Sequence, residues 1–574
     1  MLIISCLLFF LIIPANSFSA SFQIDGLWED YGNEELSLML ENGDISSLLP
    51  SAGQSGFDLS WLFPSDSLGK RSLSTDHNDD HGLFGLERFR ITSRNTGDNL
   101  DRQAVIAGLN LYDGFDFNFV NENDPGENWN DFQTFNLGYL KSNYQVLLGS
   151  MSTGFGEGLV MWRGFDWGGY AENPIAPKKE DFLRGYSSTG ENSALFGGGI
   201  RYRGNMLDII LIHSDRKLDA REDDGQIVSL QSSGIHVSRY EKANEDNLRE
   251  VIDAGHLSVS PVKNVSLGIS ALVSGFTPGF AEPDSIANTF GFSGDVLNVI
   301  GSDIKLSFDR FYMTGEYAET DKGGNAIKGN LFYRQDEIRT LISVRKLSRE
   351  FRNFRSLYPD GNETGYTVGV TTPFWRDGSL NIYYDSWQRE WRTSTWEMPP
   401  EGYEASLCLS KSLFIDDYSL RLRHTENNPE FGGTVRDQLR FNIVRNYHTN
   451  IIRLRFETIQ SRADEVINTG YLATCAFEFN FLRNRAKVAF SGFTIPDYDC
   501  RIYRYEFDIP GIMSIPFFLG DGIDLNICYN YHISNRLQFA FKTSITTYSD
   551  RPNNLSMESD KRFSIYLDYD FQNN

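Results

Sequence analysis

Residues 452–457 read Ile452-Arg453-Leu454-Arg455-Phe456-Glu457, apolar and charged side chains in strict alternation. Successive side chains of a strand point to opposite faces, so this stretch carries one apolar and one charged face. The same period of two runs through Phe115-Asp116-Phe117-Asn118-Phe119, through Val265–Ala271 (VSLGISA) and through Ile304-Lys305-Leu306-Ser307-Phe308-Asp309. It closes the chain at Phe563, Ile565, Leu567, Tyr569 and Phe571, with Ser564, Tyr566, Asp568 and Asp570 between. The pattern starts near Leu86 and does not lapse.

Segment length and turns separate a membrane barrel from a soluble sheet. Many segments run about 9–12 residues, longer than a typical soluble strand and matched to a tilted membrane crossing. Short turns join them at Gly204-Asn205, Lys263-Asn264, Thr449-Asn450, Arg483-Asn484 and Ser534-Asn535. Between these hairpins fall longer polar stretches at 121–132, 215–233, 277–297, 349–363, 388–402 and 549–561. Tight turns on one side and long loops on the other are the two-sided signature of an outer-membrane barrel. Backbone groups in lipid must all be paired, so the sheet must close. The expectation is an all-β, antiparallel transmembrane barrel of about 22–26 strands over residues 85–574. A soluble sandwich or propeller explains the alternation but not the long, aromatic-rich hairpins.

The start of the chain points to export. Residues 2–13 (LIISCLLFFLII) carry no charge, Pro14 ends the run, and small residues follow at Ala15, Ser17, Ser19 and Ala20. That reads as a signal peptide over 1–20, too short to cross a bilayer as a helix. Residues 21–84 read as an acidic periplasmic leader. Its 21–60 portion holds eight acidic residues and no Lys or Arg, with a short helix expected near Asn33–Leu40 and a linker after it. A net charge of −24 argues against a nucleic-acid-binding surface. Cys408, Cys475, Cys500 and Cys528 are too thinly spread for a disulfide framework, although one or two bridges are compatible with an oxidising compartment. The 43 Phe and 27 Tyr suit strands and interfacial girdles.

A charge turned to lipid is expensive at mid-depth, so charged residues on the non-lipid phase should face the lumen. These are Lys305, Asp309, Glu316, Arg421, Arg423, Arg440, Arg453, Arg455 and Glu457. They form cross-strand ion pairs or line an anion-selective passage. A glycine-rich segment, residues 149–170 (GSMSTGFGEGLVMWRGFDWGGY), interrupts the pattern. Gly154-x-Gly156-x-Gly158 lacks the Gly-Lys-Ser/Thr of a phosphate loop. It reads instead as a sharp bend or a close backbone approach. The candidate constriction or inward loop comprises Gly154, Gly156, Glu157, Gly158, Trp162, Arg163, Trp167, Lys178, Lys179 and Arg184, and the loop 165–192 is expected to fold over or into the barrel.

The stretch LLGSMSTGFGEGLVMWRGFDWGG, with Gly154, Phe155, Gly156, Glu157, Gly158 and Leu159, then Trp162 and Gly164, then Arg184 and Gly185, resembles the barrel region of large outer-membrane proteins of Bacteroidetes and related phyla. Those proteins usually carry helix-hairpin-helix repeats and are mostly uncharacterised. Asp215, Arg216, Asp219 and Ala220, followed by Asn247, Leu248, Arg249 and Glu250, are similar to further signatures of that family. The resemblance spans 135–275 and implies a barrel without catalytic residues. No helix-hairpin-helix repeat is legible here, which removes the family's DNA-related expectation.

No HExxH and no Gly-x-Ser-x-Gly occurs, and the histidines show no compact metal-ligand spacing, although His213 and His236 could meet across strands. The expectation is therefore no enzyme, no cofactor and no metal. Two functions stay open: passage of a solute or polymer, and anchoring of surface or periplasmic proteins. The expected partners are outer-membrane lipid, the barrel-assembly machinery during biogenesis, and such anchored proteins.

Overall fold

The computed structural model describes residues 85–570, except 97–100, 113, 125–126, 128–130, 163–182, 189, 232–233, 414–415, 429–432, 464–465, 482–483, 511, 513, 535 and 551–558. The expected signal peptide and leader lie outside the described residues. Twenty-four long antiparallel strands form one closed sheet. Each pairs with its neighbours in the chain, and the ring shuts where the first strand, Gly85–Thr96, pairs with the last, Ser559–Asp570, from Arg88↔Asp570 to Thr96↔Arg562. Three shorter strands, Arg184–Gly185, Ala220–Asp223 and Gln226–Leu230, attach to its margin.

Strands of 9 to 16 residues stand because their two faces differ. On Val265–Phe280, Leu267, Ile269 and Val273 are exposed on the outer surface while Ser266, Ser270 and Ser274 are buried within. Ile300, Ile327 and Val344 extend the outer apolar belt around neighbouring strands. Such a surface is stable against hydrocarbon and costly against water. Aromatic pairs flank the belt at both ends. Phe115–Tyr139, Tyr144–Tyr202 and Phe311–Tyr333 lie by the tight turns, and Tyr366–Tyr384 and Tyr384–Tyr403 by the loops.

The alternation of up and down strands places Gly204-Asn205, Lys263-Asn264, His448-Thr449 and Ser534 at one end. The long connections 124–131, 219–247, 281–293, 348–362, 389–400 and 496–519 all lie at the other. One expectation fails here. Asp309 does not face the lumen: it occupies the tight turn between Gly294–Phe308 and Phe311–Thr320, with φ 45° and a side chain 88% exposed. The period of two ends one residue earlier than its sequence suggests, and Asp tolerates the left-handed conformation that the turn needs. No disulfide joins Cys408, Cys475, Cys500 and Cys528.

Candidate functional site

The lumen is occupied by the chain itself. After the strand Tyr144–Ser152 the backbone turns inward, and Phe155, Leu159 and Val160 have no exposed surface. Gly156 and Gly158 take φ of 62° and 85°, a region that glycine enters freely. A Cβ on Gly156 would stand 2.8 Å from the Glu316 carboxyl carbon, so only glycine permits this approach. Glu316 projects inward from the strand Phe311–Thr320 and accepts backbone N–H bonds from Glu157 at 2.6 Å, Leu159 at 3.0 Å and Val160 at 3.2 Å. The glycine spacing thus builds a nest of amides around an anion, and the anion is the protein's own carboxylate.

A second loop locks the first. Asn353, in the connection 348–362, donates from Nδ2 to the carbonyls of Leu159 and Val160 at 2.8 Å each. The Trp162 N–H donates to the Arg355 carbonyl at 2.7 Å, and the Leu357 N–H to the Gly158 carbonyl at 2.8 Å. Asn330 donates to Glu157 Oε2 at 2.6 Å. Arg355 and Arg216 both bond the buried Glu250 on Leu248–Val262. Phe155 stacks on His256 with ring centroids 4.9 Å apart. The wall accommodates the segment with a glycine of its own, since a Cβ on Gly301 would meet Val160 Cγ2 at 2.4 Å.

The connection 496–519 also enters the lumen, against the opposite side of the barrel. Glu506, fully buried, pairs with Lys542 at 2.9 Å, Arg562 at 2.7 Å and Arg504 at 3.5 Å. Arg504 reaches Asp524 at 2.6 Å, and Lys542 also pairs with Asp508. Asn526 grips the Phe507 backbone through both its amide groups, at 3.1 Å each. In the sequence, Ile509–Leu519 (IPGIMSIPFFL) is a short apolar run broken by Pro and Gly. In the structure it is part of an inserted segment.

Of the arginines expected inside, Arg423, Arg440, Arg453 and Arg455 pair with acids of the wall. Arg423 bonds Glu404 at 2.5 Å, Arg440 and Arg455 both reach Glu457, and Arg453 and Arg485 share Glu478. Arg421 stands opposite Arg440 in register. Lys305 lies on the inward phase opposite Ser266. Gly154, Gly156, Glu157, Gly158 and Trp162 belong to the inward segment. Arg184 lies on the short strand that pairs with Met151 and Ser152. Arg163, Trp167, Lys178 and Lys179 lie outside the described residues. Beyond them, Leu183, Tyr186 and Ser188 are buried, and Asn136 and Gln145 donate to the carbonyls of Tyr186 and Leu183. His213 faces outward against Asp253, whereas His236 lies in a cluster of acids at the loop end. Asn353, Arg355 and Glu506 had no signal in the sequence, because each acts on a segment distant in the chain, and Glu250 stood out only within the family-like stretch 247–250.

No protein-family model matches the chain, and no curated protein matches it. Among solved structures, similarity of form extends to the P pilus usher PapC translocation pore, at 11% identity and TM-score 0.36 over 85% of this chain and 99% of that one. It extends also to the siderophore receptor PirA from Acinetobacter baumannii, at 8% identity and TM-score 0.43 over 86% and 81%. The copper transporter OprC matches at 7% identity and TM-score 0.44 over 86% and 81%. At these values the similarity assigns neither cargo nor mechanism to this chain.

Proposed function

We propose that the protein is an outer-membrane passage barrel for a solute or polymer, narrowed at rest by its own chain. The observation that carries this reading is an asymmetry of the inner wall. Where the inward segment covers it, Asp303 and Glu316 are 7% and 3% exposed, yet Arg453 and Arg485 keep 39% and 44% of their side-chain surface. Space therefore remains at the tight-turn end beside Arg453 and Arg485, while Arg421, Arg423, Arg440 and Arg455 are largely covered. Among the described residues, Arg421, Arg423, Arg440, Arg453, Arg455 and Arg485 outnumber the acids paired on these strands, Glu404, Glu457 and Glu478, so positive charge is in excess along this stretch of wall. A narrow, low-dielectric channel focuses such a field and concentrates anions.

The pairing of those arginines with acids favours a second reading, an anchoring barrel with a shut lumen. Planar-bilayer conductance of the purified barrel decides between them. Passage predicts currents with an anion-selective reversal potential in a salt gradient, shifted toward cations by Arg421→Glu together with Arg453→Glu. Silence of well-folded protein, even after Glu316→Ala loosens the inward segment, with a stable partner co-purifying, refutes passage and leaves the anchor.

A further inference from the structure

At the loop end of the barrel, three connections converge on His236, which is 7% exposed. Asp131 precedes the strand Phe132–Lys141, Glu191 opens a single 3-10 turn, and Asp219 follows the strand Leu207–Leu218. His236 Nδ1 stands 2.9 Å from Asp131 Oδ2 and 4.0 Å from Glu191 Oε2. Glu127 brings a further carboxylate oxygen, and its ligand atom, that of Asp131 and that of His236 lie within 4.8 Å of one another. The His236 N–H donates to Glu127 Oε1, which fixes the backbone beside the ring.

The other ring nitrogen supplies an independent pointer. Nε2 stands 3.0 Å from Asp219 Oδ2. Asp219 is itself held, accepting from Asn192 Nδ2 at 3.0 Å and from the Asp246 N–H at 3.1 Å. A carboxylate so anchored accepts a hydrogen bond from Nε2–H and leaves the Nδ1 lone pair facing Asp131. That is how a metal-bound imidazole is oriented. The 2.9 Å between Nδ1 and Asp131 Oδ2 is close to the roughly 3.0–3.5 Å between adjacent ligand atoms around an ion with bonds of about 2.1 Å.

Charge agrees with geometry. Among the described residues, His236 is the only cationic partner in the ion pairs of Asp131, Glu191 and Asp219. Without an ion, even a protonated His236 would set one positive charge against four carboxylates where water is scarce.

We propose that His236 Nδ1, Asp131 and Glu127 bind one divalent first-row transition cation of the Zn2+ or Mn2+ class, with Asp219 as the orienting carboxylate. One imidazole nitrogen among carboxylate oxygens suits these ions better than Ca2+, which takes an all-oxygen shell. The ion ties the connection 124–131 to the connection 219–247. The full chain in detergent, stripped with EDTA, is titrated calorimetrically with Zn2+ and separately with Mn2+. One equivalent is expected. His236→Gln should weaken binding at least about 100-fold, and Asp219→Asn, which leaves every ligand in place, about 10- to 100-fold. Folding of each variant is checked by heat-modifiable gel migration. Nitrogen modulation in the pulsed EPR of the Mn2+-loaded protein should vanish in His236→Gln. Absence of a saturable site for either ion overturns the proposal, as does unchanged affinity in folded His236→Gln. If His236→Gln does not fold, unchanged affinity in Asp219→Asn overturns it as well.

Discussion

Glu316 takes three backbone amides on one carboxylate, and this concentrates the stability of the inward segment in one side chain. Glu316→Ala leaves the N–H groups of Glu157, Leu159 and Val160 without their acceptor. Each buried donor so exposed costs about 1–3 kcal/mol, enough together to free a short segment. We expect a cysteine placed at Phe155 to resist an impermeant maleimide in the parent and to react in the Glu316→Ala background. Equal labelling in both would rule out the latch. Glu316→Gln keeps an acceptor oxygen and should give an intermediate rate. The inward direction of Glu316 was legible from its place in the period of two. Its purpose was not, because the amides it holds lie more than 150 residues earlier. Asp309 fails for the opposite reason: a local turn overrode the alternation that the flanking residues obey. The His236 cluster was hidden by the same long separations, since its residues come from three loops with no common spacing.

At the scale of elements, the strands announce themselves and the lumenal segments do not. A strand's side chains answer to lipid on one face and to the interior on the other, so the pattern is written into every second residue. An inserted loop answers only to the piece of wall it meets. Gly301 and Gly156 record that meeting as missing side chains, which in sequence look like any other strand or loop glycine. Gly301→Val should therefore expel Val160 and its neighbours without breaking the barrel. The check is a gain of protease sensitivity within 153–162 while the heat-modifiable shift of the wall persists. Intact resistance would mean that the wall relaxes around the new side chain. The segment 496–519 rests on a different basis, a fully buried charge network. Glu506→Gln leaves Arg504, Lys542 and Arg562 around a neutral group, and breaking such a network costs about 3–5 kcal/mol. A fall in the urea midpoint of detergent-folded protein should report it. A midpoint unchanged from the parent would show that Asp508 and Asp524 suffice.

For the molecule as a whole, closure is the governing fact. Every long strand pairs with its neighbours in sequence except at one seam, where Gly85–Thr96 meets Ser559–Asp570. The barrel form and its strand number follow from the sequence pattern because each hairpin is local. The filling of the lumen does not, since it depends on which loops reach across an interior of that width. Both edges of the seam end beside the tight turns, so residues 85 and 570 leave the ring at the same end. This makes the chain's order around the ring arbitrary with respect to its shape. A circular permutant that joins 570 to 85 through a short polar linker and opens the chain at the turn 374–377 keeps every strand pair. It should refold in detergent to the same heat-modifiable barrel. The seam itself would then be an ordinary hairpin, and the pairing of Glu363–Pro373 with Gly378–Gln388 would become the last to close. Where the ring is cut would decide only which two strands wait longest for each other.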